Sequence, residues 1–187
     1  VDLTRMHCHT EQLDEDVYRL YPGGKALAGY FMLREFVPGT DALSPDSVLV
    51  VANGLLTGAP VSTASRFTVA ARSPLTGAYG ESEAGGYFGP ELKAAGYEAI
   101  IVTGRAAAPV YLAIRDADVE IRDAGGLWGR EPEEVQTAIR AELGDSYVRV
   151  LQIGPGGENL VRYAALTNEL AHFNGRTGMG AVMGSKN

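Results

Sequence analysis

Two arginines lie within glycine-rich stretches of this 187-residue sequence and are its first candidates for chemistry. Arg66 ends the stretch 54–66, and Arg176 lies in the stretch 175–184. A guanidinium group in such a place can bind a phosphate through two parallel N–H groups, or stack on a planar ring. The alternative is that each arginine forms an ordinary surface ion pair, and spacing alone does not decide between the two.

The glycines themselves are the most unusual feature of the composition. There are 24 of them, nearly twice the frequency of roughly 7% in average proteins, and they cluster in stretches such as 54–66, 73–89 and 175–184. Backbone N–H groups presented by such loops attract anions, including phosphate. The alternative is that they form tight turns in a compact β-rich domain. No stretch matches a nucleotide-binding signature, because the run from Gly175 lacks the G-x-G-x-x-G spacing and no G-x-x-x-x-G-K-[ST] occurs.

Other chemically active residues give weaker signals. His7-Cys8-His9 would place two imidazoles on one strand face and the thiol on the other with no fourth ligand nearby, so exposed terminal residues are predicted instead of a metal site. Glu81 and Glu83 are two residues apart in a loop, where carboxylates are usually solvated. His172 is interpreted as a capping or cofactor-adjacent side chain. A Ser-His-Asp arrangement finds no support, since two of the three histidines lie near the start of the chain.

Composition excludes several classes of protein. With 16 Lys+Arg against 23 Asp+Glu, the chain has a net charge of −7 and no basic run, so nucleic acid is not an expected partner. A hydrophobic fraction of 45% excludes disorder, and no apolar run approaches the roughly 18 residues of a membrane span. A cytoplasmic location is expected because no signal-peptide pattern is present. One cysteine excludes an internal disulfide framework and a multi-thiolate cluster from this chain alone.

Hydrophobic periodicity and turn residues predict one α+β domain, since helices are fewer than strands and do not alternate with them regularly. Predicted strands lie at 1–4, 48–52, 67–71, 148–153 and 160–166, with a three-stranded meander at 99–103, 110–114 and 119–122. Predicted helices lie at 25–36, 91–95, 132–143 and 167–173; Gly144 caps the third and Thr167 begins the fourth. The chain begins without methionine and stops directly after a glycine-rich run, which suggests a piece of a longer protein.

A set of long motifs runs in order along essentially the whole chain and resembles the N-terminal domain of the tungsten-containing aldehyde:ferredoxin oxidoreductase family. The motifs include Tyr21-Pro22-Gly23-Gly24-Lys25-Ala26-Leu27, Ser73-Pro74-Leu75-Thr76-Gly77, Gly85-Gly86-Tyr87-Phe88-Gly89, Leu127-Trp128-Gly129, Ile153-Gly154-Pro155 and the run from Gly175-Arg176 to Ser185-Lys186. The resemblance implies that residues 1–187 form a single cofactor-base domain of two β-sheets with a few flanking helices.

The same resemblance implies a bis-molybdopterin cofactor carrying tungsten or molybdenum, called tungstopterin here, whose two phosphates are bridged by a magnesium ion. Carried onto this sequence, the cofactor contacts fall on Arg66, Glu83, Gly85, His172, Phe173, Gly175 and Arg176. The backbone carbonyls of Glu83 and Phe173 would bind the magnesium. Two positions depart from the family pattern, because Glu83 stands where asparagine is expected and His172 where arginine is expected. The second change leaves the substrate subclass open.

In function, the resemblance implies oxidation of an aldehyde to a carboxylic acid, with ferredoxin or another redox subunit as electron acceptor. The electrons would pass through a [4Fe–4S] cluster in the remaining domains of the same chain. No catalytic residue is assigned here, and this chain alone is expected to be inactive. Alternatives are a freestanding pterin-cofactor carrier or insertion module, or a family member that acts on aromatic thioesters. A homo-oligomer is possible in the family, and no membrane partner is expected.

Overall fold

A four-stranded antiparallel sheet organises the fold of the computed structural model, which describes residues 1–187. Its central strands, β1 (Leu49–Asn53) and β2 (Phe67–Arg72), are short runs of apolar residues that are buried almost throughout. Strand β1 pairs with β2 on one side and with β4 (Ala99–Val102) on the other, and β2 pairs with β3 (Tyr79–Ala84). The strand order is therefore β3-β2-β1-β4, with β3 at an edge.

Two smaller sheets and six helices complete the chain, and the predicted α+β class is confirmed. One sheet is the hairpin of β5 (Val110–Arg115) and β6 (Asp118–Asp123), and the other joins β7 (Leu151–Gln152), β8 (Leu166–Asn168) and β9 (His172–Asn174). The helices are α1 (Glu15–Leu20), α2 (Gly24–Glu35), α3 (Phe88–Ala94), α4 (Pro132–Leu143), α5 (Pro155–Glu158) and α6 (Met179–Gly184). None of them combines the length and the apolar character that crossing a membrane requires. The structure thus has three sheets, where the resemblance implied two.

The core lies on both faces of the four-stranded sheet. Because side chains alternate along a strand, Val50 of β1 packs with Phe31 of α2 on one face, while Val51 packs with Met179 and Val182 of α6 on the other. Covering both faces explains why β1 is continuously apolar instead of alternating. Helix α2 buries only one of its own faces, and its Leu33 is 82% exposed.

Most elements with strong local signals are confirmed. Helix α4 begins at Pro132, and Gly144 caps it at φ +66°, in the left-handed region that glycine adopts easily. The predicted helix 91–95 is α3, which begins earlier, at Phe88. Strands β1 and β2 lie within one residue of the predicted runs.

Predictions that depended on long-range pairing were wrong in four places, the first at 1–4, where only isolated bridges at Asp2 form. The meander does not form, because β4 pairs with β1, as Val102 does with Leu49, and leaves β5 and β6 as a separate hairpin. The strand predicted at 160–166 is mostly turn, and only Leu151–Gln152 of the run 148–153 pairs as a strand. The helix predicted at 167–173 is the β8–β9 hairpin, in which Thr167 pairs with Phe173 instead of capping a helix.

Four elements were not predicted at all: β3, α1, α5 and α6. Strand β3 has the sequence Tyr-Gly-Glu-Ser-Glu-Ala, which contains no β-branched residue, and its burial alternates because one face lies against β9 and the other is open. Helix α6 is built around two glycines and is nearly all buried, so tertiary packing and not helix propensity determines it.

Candidate functional site

Sheet register brings the first two candidate residues to the same end of one strand pair. In the β2–β3 pair, Phe67 lies opposite Ala84. Arg66 immediately precedes β2 and Gly85 immediately follows β3, so the two are neighbours where this pair ends. Arg66 and the nearby Glu83 are exposed, and Gly85 is half-buried.

Strand β9 and the turn after it bring the remaining candidates alongside β3. The buried side chain of Asn174 donates a hydrogen bond from Nδ2 to the carbonyl of Ser82 at 2.8 Å. The backbone N–H of Arg176 donates to Ser82 Oγ at 3.2 Å. These side-chain bonds cover the free edge of β3 without adding a strand to it. Segment 172–176 thus lies beside β3, which ends just before Gly85, and in this segment only Asn174 is buried.

A glycine loop, residues 85–87, follows β3 and is held by the turn between β8 and β9. Asn168 Nδ2 donates to the carbonyl of Gly85 at 3.3 Å, and the backbone N–H of Tyr87 donates to Glu169 Oε2 at 2.8 Å. Gly86 has φ +91°, and an added Cβ would overlap the side-chain oxygens of Asn168 and Glu169 and lie 2.8 Å from His172 Cδ2. Only glycine therefore fits at this position.

Neither candidate arginine forms the surface ion pair that was the alternative interpretation. Both Arg66 and Arg176 are exposed, and neither guanidinium group is among the ion pairs or hydrogen-bond donors of the structure. By contrast, Arg34 binds Glu11 at 2.8 Å, and Arg122 binds Glu120 at 2.7 Å. Arg66 thus precedes the strand paired with the end of β3, and the backbone of Arg176 lies beside Ser82 of β3, so both guanidinium groups without protein partners belong to this part of the sheet.

The sequence suggested that the carboxylates of Glu81 and Glu83 are solvated, but in the structure both lie close to a cation. Lys25, in the first turn of α2, lies 2.8 Å from Glu81 Oε1 and 3.7 Å from Glu83 Oε1. The hydrogen bond to Glu81 is the largest effect that raises the pKa of Lys25. Lys25 belongs to a motif that carried the resemblance, but no role was predicted for it.

Glycines of the stretch 175–184 divide into two groups. An added Cβ at Gly178 or Gly184 would overlap the backbone of Arg162 or Gly157, and at Gly180 it would lie 2.5 Å from a backbone oxygen of Ala165. These three glycines let α6 pack directly on the segment 157–165. Gly175 is different, because it is exposed and an added Cβ would meet nothing closer than 4.0 Å. Gly175 therefore leaves space for a ligand beside the backbone.

The histidines and the cysteine near the start of the chain lie apart from these strands. His7 and His9 are exposed, as predicted, with ring centroids 6.3 Å apart, and Cys8 is half-buried. No group of three His, Cys, Asp or Glu side chains in the structure could hold a metal ion. Sequence reasoning also missed the residues that hold the glycine loop, Asn168 and Glu169. Their one visible signal is the short polar run Thr167-Asn168-Glu169, which does not by itself identify a partner.

Comparison with known proteins places this geometry in a class of oxidoreductases. The sequence model of the aldehyde ferredoxin oxidoreductase N-terminal domain matches residues 1–187. The chain therefore belongs to the aldehyde ferredoxin oxidoreductase family, as its motifs indicated.

Individual relatives agree with this assignment. The chain is 46% identical over 187 residues to the tungsten-containing aldehyde ferredoxin oxidoreductase of Pyrococcus furiosus, covering all of this chain and 31% of that protein. It is 36% identical over 202 residues to the WOR-like subunit of the aliphatic sulfonate oxidoreductase of the same organism, covering 32% of that subunit. It thus spans about one third of the length of the curated relatives it matches.

A solved structure has the same fold. A chain of the active-site complex BamBC of benzoyl coenzyme A reductase, solved with 1,5-dienoyl-CoA, superimposes with a TM-score of 0.96 and 38% identity. The match covers all of this chain and 28% of that one. A fold of this kind therefore also occurs in a subunit of a larger complex.

Proposed function

We propose that residues 1–187 form the base on which tungstopterin binds in an enzyme that oxidises aldehydes to carboxylic acids. One observation carries the proposal: Arg66, a neighbour of Gly85, and Arg176, whose backbone binds Ser82 of β3, both have guanidinium groups without a protein partner, in a chain whose relatives contain tungsten. A cofactor with two phosphates needs concentrated positive charge on a chain whose net charge is −7. Local arginines and backbone N–H groups supply it.

The residues present fit a phosphorylated group. Arg66 and Arg176 would each bind a phosphate through paired N–H groups. Gly85 and Gly175 would let the phosphates approach the backbone closely, since neither carries a side chain that occupies the space. The exposed His172 and Phe173 would contact the cofactor from β9.

Magnesium would bind oxygen, as this hard cation prefers. In the proposal the backbone carbonyls of Glu83 and Phe173 supply two of its ligands and the phosphates supply others. A carbonyl is unaffected by the identity of its side chain, so glutamate in place of asparagine at position 83 does not remove the ligand.

Bound tungstopterin supplies the two-electron chemistry, and the residues of this chain bind and orient it. We place the [4Fe–4S] cluster, the walls of the substrate channel and the contact with ferredoxin in the part of such an enzyme that lies outside these 187 residues. The identity of 43–46% to aldehyde-oxidising relatives supports aldehydes as substrates. The TM-score of 0.96 with BamBC supports a second candidate, the reduction of an aromatic thioester.

The test is the metal and pterin content of the complete gene product, purified from its own host. We expect tungsten or molybdenum together with pterin in the wild type. We expect at least a tenfold lower content in Arg66→Ala and Arg176→Ala, because hydrogen bonds to charged groups contribute about 1.5–3 kcal/mol each. The control is Arg130→Ala, which removes another exposed arginine that has no ion pair. Absence of pterin from the wild type, or unchanged content in both arginine variants, would contradict the proposal.

The intact mass of that gene product separates the catalytic subunit from a freestanding carrier. A mass well above 19.8 kDa, with cysteine-bearing peptides after Asn187, supports the base of a redox enzyme. A mass near that value supports the carrier. Turnover of an aldehyde against turnover of an aromatic thioester then distinguishes the two candidate substrate classes.

A further inference from the structure

Strand β3 carries an electrostatic problem for the proposed site. Glu81 and Glu83 lie on the same face of the strand, and Glu83 is two residues before Gly85. Carboxylates this close to a bound phosphate repel it, since charges near a protein surface interact over several ångströms. Uncompensated, the pair would offset the two guanidinium charges of Arg66 and Arg176.

Lys25 forms ion pairs with the carboxylates of both Glu81 and Glu83. Its Nζ lies 2.8 Å from Glu81 Oε1 and 3.7 Å from Glu83 Oε1, and neither glutamate has another basic partner in the structure. The hydrogen bond to Glu81 is the largest effect that raises the pKa of Lys25, and a lysine is charged at neutral pH even at its ordinary pKa. Lys25 itself is exposed.

Backbone packing fixes where Lys25 lies. Helix α2 begins directly after Gly23, which has φ +100° and pairs with Gly54 across an isolated bridge. A Cβ on Gly23 would lie 2.7 Å from the N of Leu55 and 2.8 Å from the carbonyl oxygen of Asn53. The first turn of α2 is therefore held against the chain that leaves β1, and Lys25 is directed from that turn to β3.

We infer that Lys25 is a positioning residue of the cofactor site, which neutralises the acidic face of β3 so that a phosphorylated ligand binds beside Gly85. The inference rests on the proposed function. It assigns Lys25 a role in ligand affinity and not mainly in stability, because exposed ion pairs contribute little to folding. Because Lys25 neutralises the Glu83 carboxylate, that carboxylate no longer prevents an anion from binding beside it.

The experiment is a double-mutant cycle in the complete gene product from its own host, with pterin and tungsten per polypeptide as the readout. The variants are Lys25→Met, Glu83→Gln, the double variant Lys25→Met with Glu83→Gln, and Lys25→Arg. We expect Lys25→Met to lower occupancy about two- to fivefold, as loss of one partly screened charge would. Lys25→Arg keeps the charge and should retain most of the wild-type occupancy, whereas Glu83→Gln removes a carboxylate that repels the phosphate and should raise occupancy.

The double variant gives the decisive result. If Lys25 acts by compensating charge, removing the Glu83 carboxylate restores most of the occupancy that Lys25→Met loses. A double variant no better than Lys25→Met, or a Lys25→Met variant with full occupancy, would overturn the inference. Thermal melting of each variant tests a purely structural role, which would lower the Tm of Lys25→Met without recovery of pterin in the double variant.

The outcomes separate this inference from the function on which it rests. If Arg176→Ala loses pterin but Lys25→Met does not, the site is correct and the role of Lys25 is wrong. If the wild type holds no pterin, both are wrong.

Discussion

Glu169 accepts a hydrogen bond at 2.8 Å from the backbone N–H of Tyr87, a residue 82 positions earlier in the chain. This bond joins the turn between β8 and β9 to the glycine loop that follows β3. Asn168 adds a second bond to the same loop, to the carbonyl of Gly85. The orientation of the loop's backbone is therefore set from outside the loop, by two consecutive polar residues of a hairpin.

We expect Glu169→Ala to lower the free energy of unfolding by about 1 kcal/mol, the usual contribution of one hydrogen bond. Glu169→Gln retains an acceptor oxygen of the same reach and should cost less than half as much. Urea denaturation followed by circular dichroism measures both. Equal losses in the two variants would mean that the charge of Glu169, and not its hydrogen bond to Tyr87, holds the loop.

Replacing Gly86 with alanine should destabilise the chain by about 2 kcal/mol or more, because an overpacked site adds to the cost of a positive φ. Gly77 provides the matched control, since it has φ +75° but no atom lies within 4 Å of an added Cβ. Gly77→Ala should therefore cost only about 1 kcal/mol. Comparable losses in the two variants, measured by urea denaturation, would show that Asn168 and Glu169 move aside easily.

Helix α6 allows a similar comparison between two helical glycines. An added Cβ at Gly184 would overlap the backbone of Gly157, whereas at Gly29 of α2 it would meet nothing within 4 Å. We expect Gly184→Ala to destabilise the chain by about 2 kcal/mol or more, and Gly29→Ala to stabilise it by about 0.5–1 kcal/mol through better helix propensity. The change in Tm gives the sign of each effect, and a stabilised Gly184→Ala would contradict the close packing of α6.

Stability at alkaline pH should depend on Lys186. Its buried Nζ donates to the carbonyls of Ser44, Pro45 and Ser47, while burial is the main effect that lowers its pKa to about 8. Between that pH and the usual lysine value the unfolded chain binds more protons than the folded one, so the free energy of unfolding rises with pH.

We expect a rise of about 1–2 kcal/mol between pH 7.5 and 9.5 that comes from this one group. Denaturation of the wild type and of Lys186→Met at both pH values measures it. The variant should be less stable at each pH, because the three carbonyls lose their donor, but this rise should be missing. A rise of the same size in Lys186→Met would assign it to other groups.

Local chemistry was sufficient to predict part of the fold. The apolar runs of β1 and β2 and the Pro132-to-Gly144 limits of α4 depend on neighbouring residues, and the structure confirms them. Pairing partners depend on distant residues, so the position of β4 beside β1 could not be predicted from periodicity. The hairpin at 166–174 could not be predicted either. Its turn places Glu169 at φ +48° and Leu170 at φ +59°, and neither residue type is typical of a positive φ.

Glycine was the least informative residue type when taken alone. In one stretch, Gly178, Gly180 and Gly184 serve close backbone packing, while Gly175 leaves open space. Both uses have the same sequence signal, because each requires the absence of a side chain. Arg66 and Arg176 were distinguishable as candidates only by their glycine-rich surroundings, and the absence of ion partners became visible only in the structure. Lys25 lies far from β3 in sequence, and nothing local connects it with Glu83.

The packing of α6 against the central sheet constrains how the chain folds during synthesis. Leu49 and Val69 share one core cluster with Met179 and Val182, and Ser73 Oγ donates to the carbonyl of Thr177, 104 residues later. A ribosome that has produced only the first four strands has therefore produced a sheet with one apolar face still uncovered. That face stays open until α6 emerges, and such late, long-range closure slows folding and exposes the nascent chain to aggregation.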